Sequence, residues 1–424
     1  MTRRMQPSPS HPIADASRPH SPACDMRGDS LDGPLRPASA VCGRGPVLKW
    51  QWFSHSSSPH AHELRRLIEK ARHARCNFHD VTIAGRLVHD EVVALSLDSD
   101  GCYLIATLIA FGDWLLQFDI IDEMRGHFLR LSMDTNGRHL IQTIMEFGNS
   151  ALRCLAFDEF RGNIVPLSLD PEGCQSVQTM LNIRDKSFQI RIVDELRGHV
   201  VALLESDHGN YVLQKAVVVL PPNDVRFILV ELRDWAPFVV VAKSRNGCRL
   251  IQRILEHFPV SEVDHDFDTV LADGWSMCGS KYGTYVMQHL LEHGTQEHRR
   301  RITQILLTGI RRAVVGPRTR DIFAGALVYA SPADRMRLSR AAADVSGLLV
   351  ERILQRGGMH TLRRLVRVAD TMTVQKVLDE LHVGARHIQH ARGVQFHTDL
   401  LDWVSSFCDP VVCVDASDSC RGTS

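Results

Sequence analysis

Glutamine recurs at regular intervals along the middle of the chain, and its side-chain amides form a set of equivalent polar groups. The intervals are 36, 36, 38 and 36 residues between Gln142, Gln178, Gln214, Gln252 and Gln288. Because a primary amide offers two donors and an acceptor, each glutamine can make paired hydrogen bonds to the edge of a planar ligand. The competing interpretation is that these glutamines cap a neighbouring helix or bond along the array.

Each of these glutamines lies five residues after a glycine. Numbered from that glycine as zero, positions 3, 4, 7 and 8 are mostly apolar and face the core by helical spacing. Positions 1, 2 and 5 share the opposite face, where a solvated surface would vary and favour Lys and Glu. Position 1 instead holds Arg138, Cys174, Asn210, Cys248 and Thr284. Position 2 holds His139, Gln175, Tyr211, Arg249 and Tyr285, and Tyr103 in a further copy. An amide beside a flat side chain, once per helical unit, is typical of repeats that read single-stranded RNA one base at a time.

The segments that carry these residues form an internal repeat. Six copies begin at glycines spaced by 36, 36, 36, 38 and 36 residues: GCYLIATLIAFG (101–112), GRHLIQTIMEFG (137–148), GCQSVQTMLNI (173–183), GNYVLQKAVVVL (209–220), GCRLIQRILEHF (247–258) and GTYVMQHLLEHG (283–294). Three of them follow an Arg-Gly pair by eleven residues. Weaker copies lie at 319–330 and 358–369, and a last one at 393–404. This period predicts a solenoid with about three short helices per unit.

Composition restricts the class of protein. The chain has 424 residues, 44% of them hydrophobic, with 49 basic and 49 acidic side chains. No apolar run approaches the roughly 18 to 20 residues of a membrane helix, and the N-terminus lacks the apolar core of a secretory signal. We therefore expect an intracellular protein. Eleven cysteines without a CxxC pair favour reduced thiols over disulfides or zinc.

The chain divides by composition into three parts. Residues 1–60 hold nine of the eighteen prolines, with seven Lys or Arg against four Asp, and predict a disordered segment. Residues 61–405 carry the helical pattern, and residues 406–424 form a C-terminal tail. The folded part has no basic excess, so any nucleic acid must be bound by a local basic stripe and by contacts that are not electrostatic.

Over residues 62–405 the chain resembles the Pumilio (Puf) RNA-binding domain. The entry LRRLIEKAR and the motifs GNYVLQ, GCRLIQRILEHF and YGTYVMQHLLEHG carry the resemblance, the last three matching the fourth, fifth and sixth repeats of that family. It implies an all-α, right-handed superhelical solenoid of eight three-helix Puf repeats with flanking cap helices. It also implies RNA on the concave face, with the C-terminal repeats at the 5′ end.

The resemblance assigns roles to individual residues. Positions 1 and 5 read the base edge, and position 2 stacks on a base. Asn210 with Gln214 matches the family's uracil pattern, and Cys174 with Gln178 and Cys248 with Gln252 match its adenine pattern. Repeats five, four and three then predict a 5′-AUA-3′ core. The pairs Arg138 with Gln142 and Thr284 with Gln288 occupy the same places without a firm base assignment.

Other repeats depart from the family's pattern. Repeat one has Cys102 with Ala106, repeat seven has Arg320 with Ala324, and repeat eight has Met359 with Arg363. Guanine recognition in the family uses Ser with Glu, and no repeat here has an acid at position 5. We therefore do not expect recognition of the UGU element that the family reads with its last three repeats.

The expected function is sequence-selective binding of messenger RNA 3′ untranslated regions in the cytoplasm, with control of translation or message stability. We expect a monomer, protein effectors on the convex face, no membrane partner, no cofactor and no metal. The alternative is a Puf-fold RNA-binding or scaffold protein with little base specificity, for example in ribosome assembly in the nucleus or nucleolus. We do not expect an enzyme, since the HDFD stretch at 265–268 is predicted to lie in an inter-helix loop without a second ligand pair.

Overall fold

A computed structural model describes residues 59–183 and 185–408, and all regular secondary structure in these ranges is helical. The chain divides into two compact units, Met1–Arg75 and Cys76–Ser424. Helix α1 (Pro59–Arg72) belongs to the first unit. The predicted disordered segment, apart from its last two residues, lies outside the described residues, as does the predicted tail from residue 409 onward.

The second unit repeats one motif of a long, a short and a long helix. The first four repeats are α2 (Phe78–Leu87), α3 (Val92–Leu97), α4 (Gly101–Phe111); α5 (Trp114–Glu123), α6 (Phe128–Ser132), α7 (Gly137–Phe147); α8 (Ser150–Asp158), α9 (Ile164–Leu169), α10 (Gly173–Asn182); and α11 (Lys186–Leu196), α12 (Val200–Glu205), α13 (Gly209–Val219). The next four are α14 (Pro222–Trp235), α15 (Phe238–Ala242), α16 (Gly247–His257); α17 (Val260–Ala272), α18 (Gly274–Gly279), α19 (Gly283–His293); α20 (Gln296–Leu307), α21 (Ile310–Val315), α22 (Thr319–Tyr329); and α23 (Pro332–Ala343), α24 (Leu348–Leu354), α25 (Gly358–Val368). A closing unit follows: α26 (Thr371–Val383), α27 (Ala385–Arg392) and α28 (Val394–Ser405).

The predicted solenoid of eight three-helix repeats is confirmed. Positions 3, 4, 7 and 8 of the third helices are buried, as the four residues of repeat five illustrate: Leu250, Ile251, Ile254 and Leu255. Each repeat therefore contributes an apolar stripe to one continuous core. The seven cysteines of the described ranges form no disulfide, and no helix there has the length and apolarity to cross a bilayer.

The predicted loop at 265–268 is wrong, because this stretch lies inside α17. The helix forms there because Val263, Phe267, Val270 and Leu271 make one buried face at helical spacing.

The two aspartates of this stretch hold neighbouring repeats together. Asp266 accepts hydrogen bonds from Arg233 of repeat five, the shortest at 2.6 Å. Asp268 pairs with Arg301 of repeat seven. The carboxylates that suggested a metal or hydrolytic site are therefore links between first helices.

The glycine that opens the third helix in seven of the eight repeats allows a close backbone approach. A Cβ at Gly209 would lie 2.8 Å from the Leu203 carbonyl oxygen, and one at Gly247 would lie 2.3 Å from that of Val241. Since real Cβ atoms do not approach an oxygen so closely, the third helices of repeats four and five can pack in this way only with glycine there. Repeat seven has Thr319 at this place, and its hydroxyl donates to the Arg312 carbonyl.

Between repeats one to five, and between repeat eight and the closing unit, a carboxylate accepts backbone N–H groups from the repeat before it. Glu195 of α11 accepts from Gly162 at 2.9 Å and from Ile164 at 3.1 Å, at the start of α9. Gly162 belongs to an Arg-Gly pair and has φ of +75°, a left-handed conformation that favours glycine. Equivalent bonds are made by Glu123, Glu159, Glu231 and Glu380.

Replacing Glu195 with alanine should lower the free energy of unfolding by about 1 to 3 kcal/mol, because two backbone donors lose their acceptor. Asp194→Ala is the matched control on the same helix. Asp194 is exposed and pairs only with Arg197 on the next turn, so its removal should cost less than about 0.5 kcal/mol. Urea or thermal unfolding measures both, and equal losses would contradict a linking role for Glu195.

Candidate nucleic-acid interface

Positions 1, 2 and 5 of the third helices in repeats one to eight form a surface that we call the ladder face. Position 2 is its most open row, and Tyr211 and Tyr285 are each 37% exposed. Position 5 is mostly half-buried. Position 1 is buried in repeats one and three to six and half-buried in repeats two, seven and eight. In repeats three to five its side chain donates to a carbonyl of the preceding loop, which draws it deeper than helical spacing alone predicts. We call the buried members of position 1 the floor of the ladder face.

Small thiols make the floor in repeats three and five. The thiol of Cys174 donates to the Pro171 carbonyl at 3.3 Å, and that of Cys248 donates to the Arg245 carbonyl at 3.3 Å. Burial, with a smaller effect from Asp170, raises the pKa of Cys174 to about 11. The Cys174 thiol is therefore neutral at physiological pH, which disfavours a role as a nucleophile.

In repeat four the two predicted reading amides bond to each other. Asn210 is 1% exposed and donates to the carbonyls of Ser206 at 2.8 Å and Asp207 at 3.1 Å. Its own Oδ1 accepts from Nε2 of Gln214 at 2.8 Å, and Gln214 is 4% exposed. Asn210 thus orients Gln214 and supports the helix start at the same time.

The early repeats use part of the ladder face to contact one another. Arg138 donates to the Gln175 side chain of the next repeat at 2.5 Å and pairs with Glu172. Gln142 donates to the Thr179 hydroxyl at 3.3 Å, again across the repeat boundary. The interpretation that the glutamines bond along the array therefore applies to Gln142. It does not apply to Gln178, which donates to the Cys174 carbonyl in its own helix at 3.2 Å.

The amides of repeats five and six are open. Among the described residues, Gln252 and Gln288 have no side-chain hydrogen-bond partner, and both are half-buried. At position 2, Arg249 donates to the Tyr211 hydroxyl at 3.3 Å, so the flat side chains of repeats four and five meet edge to edge. In repeat six, Thr284 at position 1 donates to the Arg318 carbonyl at 3.1 Å.

Position 2 of repeat two carries a neutral ring. Burial, and then the neighbouring Arg138, lower the pKa of His139. The imidazole is therefore uncharged near pH 7, as suits stacking on a base. With Tyr103 in repeat one and Gln175 in repeat three, both half-buried, position 2 has a flat side chain in each of repeats one to six.

One cluster beside the ladder face has metal-binding residue types. The ligand atoms of Glu256, His289 and His293 lie within 4.8 Å of one another. The Glu256 carboxylate already contacts Nε2 of His289 at 2.7 Å and accepts from Arg253 at 2.6 Å. His289 and Arg253 hold the pKa of Glu256 below its usual value despite burial. The contacts of Glu256 are thus those of a link between repeats five and six.

Arg352 and Arg364 were not among the predicted contact residues, although they lie in repeat eight near the ladder face. The sequence does contain an indication of a basic site there, because residues 352–367 include five arginines and no acidic residue.

Alanine at position 210 should destabilise the protein, whereas alanine at position 252 should not. Asn210→Ala removes three buried hydrogen bonds and should lower the free energy of unfolding by about 1 to 3 kcal/mol. Gln252→Ala removes an amide without a protein partner, and it should leave stability within about 0.5 kcal/mol. Thermal unfolding tests both variants, and a large loss for Gln252→Ala would mean that its amide has a structural role.

Comparison with known proteins places this repeat in a family. The model described as "Pumilio-family RNA binding repeat" matches five segments: 127–159, 163–197, 199–233, 238–265 and 276–307. Two curated relatives are similar over shorter stretches. Pumilio homology domain family member 4 of Saccharomyces cerevisiae is 28% identical over 92 residues, 22% of this chain and 10% of that protein. Pumilio domain-containing protein C6G9.14 of Schizosaccharomyces pombe is 22% identical over 143 residues, 34% of this chain and 21% of that protein.

Solved structures share the whole architecture of the solenoid. The Puf3 RNA-binding domain bound to Cox17 3′ untranslated RNA aligns with a TM-score of 0.68 at 20% identity, covering 79% of this chain and 99% of that one. PUF-8 in complex with PBE-RNA aligns with a TM-score of 0.69 at 18% identity, covering 76% and 94%. The repeat period and the three-helix unit agree with this match, so residues 127–307 carry Pumilio-family RNA binding repeats, and the solenoid has the fold of the Puf RNA-binding domains.

Proposed function

We propose that this protein binds single-stranded RNA in a sequence-selective way through the ladder face. One observation carries the proposal: the half-buried amides of Gln252 and Gln288 have no partner among the described residues and lie in a row with exposed flat side chains. A base stacked on Tyr285 or Arg249 would present its edge to these amides. The Pumilio (Puf) family is one of RNA-binding proteins and not of enzymes, which is consistent with a binding role.

The base preference that we propose is a central AUA read by repeats five, four and three. The small, buried side chains of Cys174 and Cys248 would leave room for a purine next to Gln178 and Gln252. In repeat four, Asn210 orients the Gln214 amide at 2.8 Å, which suits a smaller pyrimidine with one donor and one acceptor on its edge. Repeats seven and eight lack a reading pair, so a 5′ UGU should add little discrimination.

The biological role that follows is regulation of bound messages. Puf3 is crystallised with RNA from a 3′ untranslated region. By analogy, we propose that this chain acts on 3′ untranslated regions in the cytoplasm, as a monomer that controls translation or message stability with protein effectors on its convex face.

A second candidate function has its own support. The side chains of Arg138 and Gln142 donate hydrogen bonds to residues of the next repeat. Repeats one, seven and eight have no amide at position 5. This favours an RNA-binding scaffold with little base specificity, as in ribosome assembly. Selection of bound sequences from a random RNA pool separates the two: enrichment of AUA supports the selective regulator, and no enrichment supports the scaffold.

Affinity should depend on the base facing repeat four. We expect an oligomer with a central AUA to bind at least about tenfold more tightly than one with a central ACA. The reason is that stacking and edge contacts are worth roughly 1 to 3 kcal/mol per base. Fluorescence anisotropy with labelled nine-nucleotide RNAs measures this. Equal affinities would exclude base reading at Gln214, and no binding of either RNA would exclude the proposed function.

The double change Cys248→Ser with Gln252→Glu should shift the preferred base in repeat five from A to G. Guanine offers two neighbouring donors on its pairing edge, so it needs a carboxylate acceptor. Because Gln252 has no protein partner, the change should leave the melting temperature nearly unaltered.

Gln296→Glu in the first turn of α20 is the control for the added negative charge. It should weaken binding of all RNAs slightly and equally. Competition between 5′-AUA and 5′-GUA oligomers measures the shift, and an equal loss for both in the double variant would show that repeat five does not read this base.

A further inference from the structure

The third helix of repeat eight and its surroundings have an unusual accumulation of unpaired positive charge. We name six residues the arginine cluster: Arg320, Arg352, Arg356, Arg363, Arg364 and Arg367. None of their guanidinium groups forms an ion pair with a carboxylate of the described residues. The arginines of the adjoining first helix behave differently, since Arg337 pairs with Asp334 and Arg340 pairs with Asp370.

Arg352 lies at the base of this cluster and is 3% exposed. It donates to the Thr361 hydroxyl at 3.0 Å and to the Arg356 carbonyl at 3.2 Å, and its buried Nε has no partner. Burial, and then the nearby Arg320, lower the pKa of Arg352, and Asp321 opposes them with a smaller effect. A buried guanidinium that forms no ion pair is costly, and a bound anion would lower that cost.

Two other arginines of the cluster belong to the ladder face itself, Arg320 at position 1 of repeat seven and Arg363 at position 5 of repeat eight. Arg364 donates to the carbonyl of Ala324, the residue at position 5 of repeat seven, at 2.9 Å. His360, at position 2 of repeat eight, has a pKa lowered by burial and then by Arg364, Arg363 and Arg367, so these three guanidinium groups lie close to it.

The remaining groups on this part of the ladder face do not form a base-reading site. Asp321 is the only carboxylate among positions 1, 2 and 5 of these two repeats, and neither repeat has a glutamine there. Arg363 and Arg367 are exposed, while Arg320 and Arg364 are half-buried. The cluster therefore extends from a buried charge outward to the solvent.

We propose that the arginine cluster binds phosphates in the 5′ segment of the RNA, so that repeats seven and eight hold the strand by its backbone and do not read its bases. The proposal rests on the proposed function for the presence and direction of the RNA. Guanidinium groups form paired hydrogen bonds with phosphate oxygens. Contacts of this kind position a strand without carrying sequence information.

The test uses the full chain with Arg363→Gln and Arg367→Gln combined, both at exposed positions, and a twelve-nucleotide RNA with AUA placed so that four nucleotides precede it. Binding is measured by anisotropy from 0.05 to 0.3 M salt. Each lost phosphate contact should reduce the slope of log affinity against log salt by about 0.7, which for two contacts means roughly tenfold weaker binding at 0.15 M. The loss should be equal for UGU and for a scrambled 5′ end.

Two further variants make the result specific. Arg337→Gln with Arg340→Gln removes the same charge from the same repeat and should leave the slope unchanged. Arg363→Lys with Arg367→Lys keeps the charge and should retain most of the slope, which distinguishes lost phosphate contacts from misfolding. RNAs with a 5′-phosphate and with a 5′-hydroxyl show which phosphate is bound. If the Gln variant loses affinity for both RNAs, the arginines contact backbone phosphates. If it loses affinity only for the RNA with a 5′-phosphate, they contact the terminal phosphate.

An unchanged slope in the Gln variant, with AUA still preferred over ACA, would overturn the arginine proposal and leave the proposed function intact. A loss found with UGU but not with the scrambled 5′ end would also overturn it, since that result indicates a base contact. If the unaltered protein binds no RNA, the proposed function itself fails.

Discussion

The contact between consecutive repeats is the constraint on which the rest of this structure depends. No single three-helix unit can bury its apolar stripe, so each must lie in a fixed position on the next. In the first half of the array, the carboxylates of Glu123, Glu195 and Glu231 help to fix that position by accepting backbone N–H groups at the start of the short helix of the preceding repeat. A carboxylate bound to two backbone donors has little freedom to shift, so the third helices follow one another at a constant offset. The regular row of amides and flat side chains is a consequence of that offset.

The same constraint explains why the ladder face is uneven. Its residues are the proposed RNA contacts, and some of them also make contacts between repeats or within their own helix. In repeat two, Arg138 and Gln142 bond to the next repeat, while in repeat four Asn210 and Gln214 bond to each other. Gln252 and Gln288 in repeats five and six have no partner among the described residues. The same pair of residues is therefore not equivalent in every repeat. An amide that already bonds to the protein must lose that hydrogen bond before it can bond to a base, and this lowers the net free energy of binding.

The C-terminal repeats keep the architecture and change the chemistry. Repeat seven replaces its helix-starting glycine with Thr319, which fits because its hydroxyl bonds to the Arg312 carbonyl. Repeat eight keeps its glycine, and its third helix carries three arginines. The solenoid tolerates such replacements because the buried positions, not the ladder face, hold the repeats together. The two ends of the array therefore present different side chains on the same scaffold.

The sequence by itself determined the repeat period, the all-α solenoid, the buried positions of the third helices and the set of candidate contact residues, because each follows from local spacing along one helix. It placed 265–268 in a loop, although the buried stripe through Val263 and Phe267 makes that stretch helical. Only the tertiary structure decided which amides are engaged, that position 1 is a floor, and that Arg352, Arg320 and Arg364 share one cluster with no carboxylate partner. These properties depend on side chains from different repeats, about 36 residues apart in sequence. Their hydrogen bonds and burial arise only when the repeats stack.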